Sequence, residues 1–229
     1  MTDTADKSPR MIYQTPESRR GILDTALELF LQKGFFDTQM KDVAHAAGIS
    51  RSTLYRYFQD KTDLASCLLE EVFASFMADS SWRDSVPAGA SARTALGCYL
   101  KNHWLSPRFE KQMVFLAEFD AYFSGGRIPA GTAVAAQFRE NLAARLHFPQ
   151  DPFLADFLSR GAIDGSLRAD LDQHLVGVTL LNAVRSLHQR VLLRGDILIE
   201  ALPGEPGKMP QTLVDLLLDG LAPSQGDLS

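Results

Sequence analysis

The chain has 229 residues, of which 45% are hydrophobic, and a formal net charge of −5. This is enough apolar material for one substantial buried core or two modest ones, and because no run of 18 uninterrupted apolar residues occurs, we predict no membrane span. The negative charge argues against nucleic-acid binding over the whole surface, so any such role must be confined to one part of the chain.

The charge is distributed unevenly along the chain. Residues 1–61 contain nine Lys and Arg against eight Asp and Glu, whereas residues 62–229 contain fourteen against twenty. Within residues 38–61 the charged residues are Lys41, Arg51, Arg56 and Lys61 against Asp42 and Asp60. A locally basic face on an acidic body is compatible with docking on phosphates through one end only.

The terminal segments and the cysteines suggest an ordinary cytoplasmic protein. Residues 1–16 are polar and lack the apolar stretch of a secretory signal, so we predict a flexible tail there and a second over residues 223–229. Cys67 and Cys98 each lie in a helical apolar pattern. We interpret both as small buried residues in a reducing compartment; a disulfide or a thiol sensor is the alternative.

Apolar residues recur at helical spacing almost throughout, and no convincing run alternates with the two-residue period of a strand. We therefore predict an all-α fold. The predicted helices cover residues 17–33, 39–47, 51–58, 61–79, 91–105, 107–123 and 131–147, a short segment ending at residue 162, and residues 171–193 and 211–221. Gly34 is expected to end the first helix and Thr38 to cap the second. Ser50 and Asp60 are expected to cap the third and fourth.

Residues 38–61 have the spacing of two short helices joined by a tight turn, a helix-turn-helix. Ala44 and Gly48 stand where two steeply crossing helices need a small residue and a turn residue that tolerates positive φ. The positions that must point inward are apolar: Val43, Ala47, Ile49 and Leu54. A plain structural corner between two helices is the alternative interpretation.

The same spacing leaves polar, basic and aromatic side chains on the outside of the third helix, namely Arg51, Ser52, Thr53, Tyr55 and Arg56. The N-terminal half of a helix carries the positive end of its dipole, which favours approach to phosphates. Arg51 could bind guanine O6 and N7 bidentately, and Thr53 could offer its hydroxyl to a base or its methyl group to thymine. The pattern therefore predicts a helix that enters the major groove of DNA.

The run from Arg20 to Phe76 closely resembles the N-terminal domain of TetR-family transcriptional regulators. The matching positions are Ala26, Leu29 and Phe30, then Gly34-Phe35, Thr38, Val43-Ala44, Ala47 to Ser50, and above all Thr53 to Leu64. The resemblance covers about a quarter of the chain. It implies a three-helix DNA-binding domain over residues 17–62 and a helical ligand-binding and dimerisation domain over residues 63–222.

The resemblance also implies roles for individual residues. In the family, the positions matching Thr38, Tyr57 and Lys61 usually contact phosphates. Those matching Arg51, Ser52, Thr53 and Tyr55 meet base edges or the backbone in the major groove, and we include Arg56 among the candidates. Alternatives stay open: Tyr57 as a core aromatic, Arg56 as a solvated charge and Thr38 as only a helix cap.

The last two predicted helices are apolar over more than one face. A helix covered on one side needs only about a third of its circumference apolar. We therefore predict that residues 171–193 and 211–221 are buried both by their own core and by a second subunit; the alternative is a central core helix in a monomer. The turn at residues 165–168, with Asp170 and Asp172 after it, also resembles the entry to the dimerisation helix of TetR-like proteins.

The helices predicted between these regions carry many aromatic residues. An aromatic-lined cleft is a usual way to hold a small apolar ligand, and ordinary aromatic core is the alternative. The resemblance favours a pocket among predicted helices 91–105, 107–123 and 131–147. The candidate ligand-binding residues are Tyr99, His103, Trp104, Phe115, Phe119 and Tyr122.

No catalytic, nucleotide-binding or metal-binding motif occurs in the sequence, so we expect no enzyme activity, no cofactor and no metal site. We predict a sequence-specific DNA-binding regulator, a homodimeric repressor released from a palindromic operator by a small apolar or aromatic effector. In the family, such an effector displaces the fourth helix and so rotates the reading heads. The alternatives are a ligand-independent regulator or activator of the same fold, and an all-α small-molecule-binding protein that does not bind DNA.

Overall fold

A computed structural model describes residues 16–122, 140, 151–198 and 205–223. Within these ranges the chain forms nine α-helices and no strand, which confirms the all-α prediction. The helices are α1 (Pro16–Lys33), α2 (Met40–Ala46), α3 (Arg51–Tyr57), α4 (Lys61–Ala78), α5 (Ala92–Tyr99), α6 (Glu110–Tyr122), α7 (Pro152–Asp164), α8 (Gln173–Arg194) and α9 (Lys208–Gly220). A π-helical turn, Leu100–Trp104, extends α5.

Three sequence predictions fall partly or wholly outside the described residues. The helix predicted over residues 131–147 lies outside them except for residue 140. The two predicted tails also lie outside them, apart from Pro16, the first residue of α1, and Pro223. The domain division predicted at residue 62 stays a prediction. None of the described helices is both long and apolar enough to cross a membrane.

Local capping determines where the short helices begin. The Ser50 hydroxyl accepts a hydrogen bond from the Thr53 amide at 3.1 Å at the start of α3, as predicted. Asp60 likewise accepts from the Asp63 amide at 2.8 Å at the start of α4. The cap predicted for α2 was wrong: Gln39 occupies that position, and the Thr38 hydroxyl instead donates backward to the Gly34 carbonyl. Thr38 is fully buried, so its hydroxyl needs this internal acceptor.

One hydrophobic core runs from the first three helices into the rest of the chain. We call α1 to α3 the head, and α5 to α9 the body. The Phe30 ring of α1 stacks on the Phe115 ring of α6, with centroids 5.9 Å apart and planes 12° from parallel. On another side of α6, the Gln189 amide of α8 donates to the Met113 carbonyl at 3.3 Å. Helix α6 therefore lies between the head and α8.

The turn between α2 and α3 gives a direct test of the backbone geometry. Gly48 has a φ of +66°, the left-handed region, so Gly48→Ala should lower the free energy of unfolding by about 1 kcal/mol. The matched change Gly21→Ala is at an exposed helical position of α1 with nothing within 4 Å of the new methyl group. It should raise stability by about 0.5–1 kcal/mol. Urea unfolding of both variants measures the difference, and equal effects would contradict the assigned turn.

Candidate nucleic-acid interface

Helix α3 presents one apolar residue inward and its polar residues outward. Leu54 is fully buried in the core, whereas Arg51, Ser52 and Arg56 are exposed. Tyr55 is 52% exposed, which is unusual for so large an aromatic side chain. The arrangement leaves a guanidinium, a hydroxyl and an aromatic ring available on the outer face of one short helix.

Hydroxyl groups at the start of α3 are tied together. The Ser50 Oγ lies 2.8 Å from the Ser52 Oγ and 2.9 Å from the Thr53 Oγ1. The same oxygen accepts the Thr53 amide. Ser52 and Thr53 are therefore oriented by the protein itself before any partner contacts them.

Of the three residues expected to contact phosphates, Lys61 and Thr38 make hydrogen bonds inside the protein. The ammonium of Lys61 donates to the carbonyls of Phe35 (2.7 Å), Thr38 (3.0 Å) and Phe36 (3.2 Å), and it lies 4.7 Å from the Phe35 ring centroid. Thr38 bonds within the loop, as described above. The half-buried Tyr57 keeps a buried hydroxyl with no hydrogen-bond partner in the structure. Their phosphate contacts stay predictions.

The predicted ligand-binding residues fall into two groups rather than one pocket. Tyr99 stacks on His103, with centroids 4.9 Å apart, and His103 packs edge-on against Trp104 at 5.4 Å. Phe115 and Phe119 instead pack on each other at 5.9 Å and on the aromatic rings of the head. The side chain of Tyr122 lies outside the described residues.

All five described members of that set are at least 97% buried. They form aromatic core in this conformation, the alternative raised from the sequence. Their role in binding a ligand stays a prediction, and the helix predicted over residues 131–147, which would complete the pocket, lies outside the described residues except for residue 140.

A cleft of about 530 Å³ opens elsewhere, between α5 and α9. Its lining includes charged and hydroxyl side chains but none of the six aromatic candidates: Ser91, Arg93, Thr94, Gly97, Cys98, Lys101, Asn102, Gly165, Ser166, Leu218 and Pro223. Arg93 and Lys101 are each paired at 2.5 Å with a carboxylate of α9, Asp219 and Asp215 respectively. We interpret this cleft as part of the packing interface between α5 and α9 and not as a binding site for an anion, because Arg93 and Lys101 are already paired with carboxylates of α9.

Among the described residues, no group of three or more His, Cys, Asp and Glu side chains could hold a metal ion.

A family model described as "Bacterial regulatory proteins, tetR family" matches residues 22–66, which include the whole helix-turn-helix. Residues 22–66 therefore match the DNA-binding domain of the TetR family. The chain is a DNA-binding transcriptional regulator, as the sequence predicted.

Sequence similarity to known proteins extends beyond the residues matched by the family model. The chain is 44% identical over 57 residues to the regulator AcrR of Shigella flexneri, a match covering 25% of this chain and 26% of that protein. It is 25% identical over 177 residues to the repressor KstR2 of Rhodococcus jostii, covering 76% of this chain and 75% of KstR2. The chain thus aligns with about a quarter of AcrR but with three quarters of KstR2.

Solved TetR-family structures share the fold of nearly the whole chain. The ketosteroid regulator KstR2 of Mycobacterium tuberculosis has a TM-score of 0.54 at 19% identity, covering 92% of this chain and 98% of that one. FadR of Thermus thermophilus, solved with lauroyl-CoA, has a TM-score of 0.57 at 21% identity, covering 90% and 96%. At these identities the likeness concerns architecture.

The end of α4 is fixed to the body by a buried carboxylate that sequence analysis missed. Asp79 accepts hydrogen bonds from Arg108 Nη1 at 2.7 Å and from Ser81, and it lies 3.0 Å from His103 Nδ1. Although burial opposes ionisation, the hydrogen bonds from His103 and Ser81 lower the pKa of Asp79. The only signal in the sequence was an acidic residue at a predicted helix end, which is common at exposed positions too.

His103 makes stability depend on pH. Burial lowers its pKa below the ordinary 6.5, and the neighbouring Asp79 only partly offsets this. Burial also lowers the pKa of His188. These histidines bind protons more weakly in the folded chain than in the unfolded chain. The free energy of unfolding is therefore at its full value above the histidine pKa of the unfolded chain and falls as the pH drops below that pKa.

We expect the free energy of unfolding to fall below about pH 6.5, by up to about 1.4 kcal/mol per pH unit for each histidine that stays neutral. His103→Asn keeps a donor toward Asp79 without a titrating ring and should flatten this slope. Urea unfolding at a series of pH values measures it, with His45→Asn on the exposed face of α2 as the matched control. Identical slopes in wild type and His103→Asn would contradict the prediction.

Proposed function

We propose that this chain is a homodimeric repressor that reads a palindromic operator with α3 and leaves it when a small apolar molecule binds to the body. The observation that carries the proposal is the outer face of α3, on which Arg51 and Tyr55 are exposed while Leu54 fixes the helix to the core. A purely structural corner has no need of an exposed tyrosine beside an exposed arginine. A major-groove reading helix uses both, for base edges and for the backbone.

Pairing of two chains is supported by apolar side chains that a single chain leaves in solvent. On α8, Leu175 is 61% exposed and Val178, one turn later, 44%; on α9, Leu216 is 65% exposed. The opposite sides of the same helices supply core residues such as Val184 and Val214, both fully buried. Helices that are apolar on both sides are explained by a second copy covering the outer side.

The proposed effector is a small molecule that is largely apolar. KstR2 of Mycobacterium tuberculosis is a ketosteroid transcriptional regulator, and FadR of Thermus thermophilus was solved in complex with lauroyl-CoA. The part of the chain from α4 to α6 is correspondingly rich in aromatic rings, with the ring centroids of Trp82 and Tyr99 4.9 Å apart and those of Phe76 and Phe109 4.6 Å apart. Lauroyl-CoA and a steroid ketone are therefore the first two probes for release of bound DNA.

For DNA reading, Arg51→Ala should weaken binding to operators selected from random duplexes by about 1–3 kcal/mol and relax the preference at one base position. The matched control is Arg160→Ala on α7, where the arginine is exposed, pairs with Asp156 and lies over the Phe157 ring. Fluorescence anisotropy over a salt series measures both. Wild-type binding must weaken steeply with salt, because phosphate contacts release counterions. Equal losses on every sequence would make Arg51 a phosphate contact instead.

For pairing, Leu216→Asp and Leu175→Asp should each convert a dimer into monomers, because a carboxylate cannot be buried unpaired between two apolar helix faces. Ile163→Asp is the matched control: this side chain of α7 is 84% exposed and lies outside α8 and α9. Analytical ultracentrifugation gives the mass, and circular dichroism verifies the fold. A folded Leu216→Asp protein that sediments with the same mass as wild type would refute the assigned surface.

A further inference from the structure

We propose that Glu118 of α6 is a positioning residue that fixes the head to the body and so sets the separation of the two reading helices. This inference rests on the proposed function. It concerns a connection between head and body that does not run through α4, because Glu118 of α6 binds the loop between α1 and α2 directly. We call that loop, residues 34–38, the head corner.

The backbone of one residue in the head corner is bound from two different helices. The amide of Phe35 donates to the Glu118 Oε2 of α6 at 2.7 Å. The carbonyl of the same residue accepts the ammonium of Lys61, the first residue of α4, at 2.7 Å. Phe35 is fully buried, so both of its peptide groups are fixed in place, one by the body and one by the linking helix.

Lys61 spreads this restraint over the whole head corner. Its ammonium also donates to the carbonyls of Phe36 and Thr38, so three peptide groups of the corner share one cation. A corner held in this way cannot flex internally without breaking several charge-assisted hydrogen bonds. The remaining freedom of the head is therefore a rigid tilt against α6, and the bond from Phe35 to Glu118 opposes that tilt.

The surroundings of Glu118 place it at the centre of the contact between head and body. Phe119, the next residue of α6, packs edge-on against Phe35 at 6.2 Å. One turn earlier, Phe115 stacks on Phe30 of α1. Nearer the start of α6, Lys111 pairs with Glu28 of α1 at 2.6 Å, but both partners of this ion pair are about half exposed. Apolar contacts tolerate small sliding, whereas a carboxylate facing one amide defines a single position.

The opposite side of α6 connects this contact to the proposed dimer. Gln189 of α8 donates to the Met113 carbonyl of α6, and α8 is one of the two helices whose outer faces we assign to pairing. A head fixed to α6 is thus fixed relative to its partner's head. Two reading helices fit successive major grooves only at one separation, so a looser head would accept half-sites at more than one spacing.

The experiment compares spacing discrimination. Operators selected by wild type are remade with one additional base pair between the half-sites, and affinity is measured for both spacings and for an isolated half-site. Wild type should lose about tenfold or more on the altered spacing. Glu118→Ala should lose clearly less while binding the isolated half-site like wild type, since α3 is untouched.

Two further variants separate positioning from general stabilisation. Glu118→Gln retains an oxygen that can accept the Phe35 amide, so it should restore wild-type spacing discrimination. Lys111→Ala removes the exposed ion pair between the same two helices and should also behave like wild type. A merely structural role would lower thermal stability in Glu118→Ala and leave the ratio of the two spacings unchanged.

The proposal is overturned if Glu118→Ala keeps the full wild-type spacing penalty, or if Lys111→Ala relaxes it equally. If Glu118→Ala does not fold, Glu118→Asp takes its place under the same criteria, because the shorter side chain cannot reach the Phe35 amide. If wild type selects no operator, the proposed function itself fails. Hydrogen exchange then decides on Glu118: faster exchange in Glu118→Asp across residues 34–38, with α8 unchanged, retains the contact as a head restraint, and unchanged exchange removes it.

Discussion

The contact of α1 with α6 is the constraint on which the remaining architecture depends. Phe30 and Phe115 stack within one continuous core, so the apolar centre of the three-helix head, which includes Leu23, Val43 and Leu54, continues into the body. A segment of this size buries only a modest share of its surface by itself. The contact with the body therefore adds to the stability of the head and also fixes its orientation.

Polar groups then fix what the apolar contact leaves adjustable. Each end of α4 has one such group: Lys61 reaches back to the head corner at the start, and Asp79 receives Arg108 and His103 at the end. Glu118 adds a third from α6. Apolar burial has no preferred direction, whereas each of these hydrogen bonds specifies one geometry. The proposed dimer, which would hold two heads at a set separation, needs both.

The sequence was most informative where structure is decided locally. The caps at Ser50 and Asp60 act over three residues, so a short stretch of sequence contains both partners. The inward role of Leu54 follows from helical periodicity in the same way. The match to the family was also predictable, because Thr53 to Leu64 carries a long ordered resemblance within the region of the family model.

Contacts between distant segments could not be read from the sequence. The partners Phe35 and Glu118 are 83 positions apart, and a glutamate on a helix gives no indication of which amide it will meet. The same limit explains why Tyr99 and Phe115 were placed in one pocket: each has helical spacing with its own neighbours, but periodicity does not say which face of another helix they meet. Thr38 was taken for a cap because a hydroxyl before a helix usually is one, and its complete burial reversed the direction of its bond.

The hydroxyl cluster at the start of α3 has a consequence for how strictly an operator is read. Ser52 and Thr53 are both held by Ser50, so little rotamer freedom is left for them to lose on contact with DNA. A freely rotating hydroxyl can turn to suit either a donor or an acceptor and therefore tolerates several bases. Hydroxyls that are already hydrogen-bonded lack this adaptability, and the half-sites proposed for this regulator should accordingly show little degeneracy at the bases that contact them.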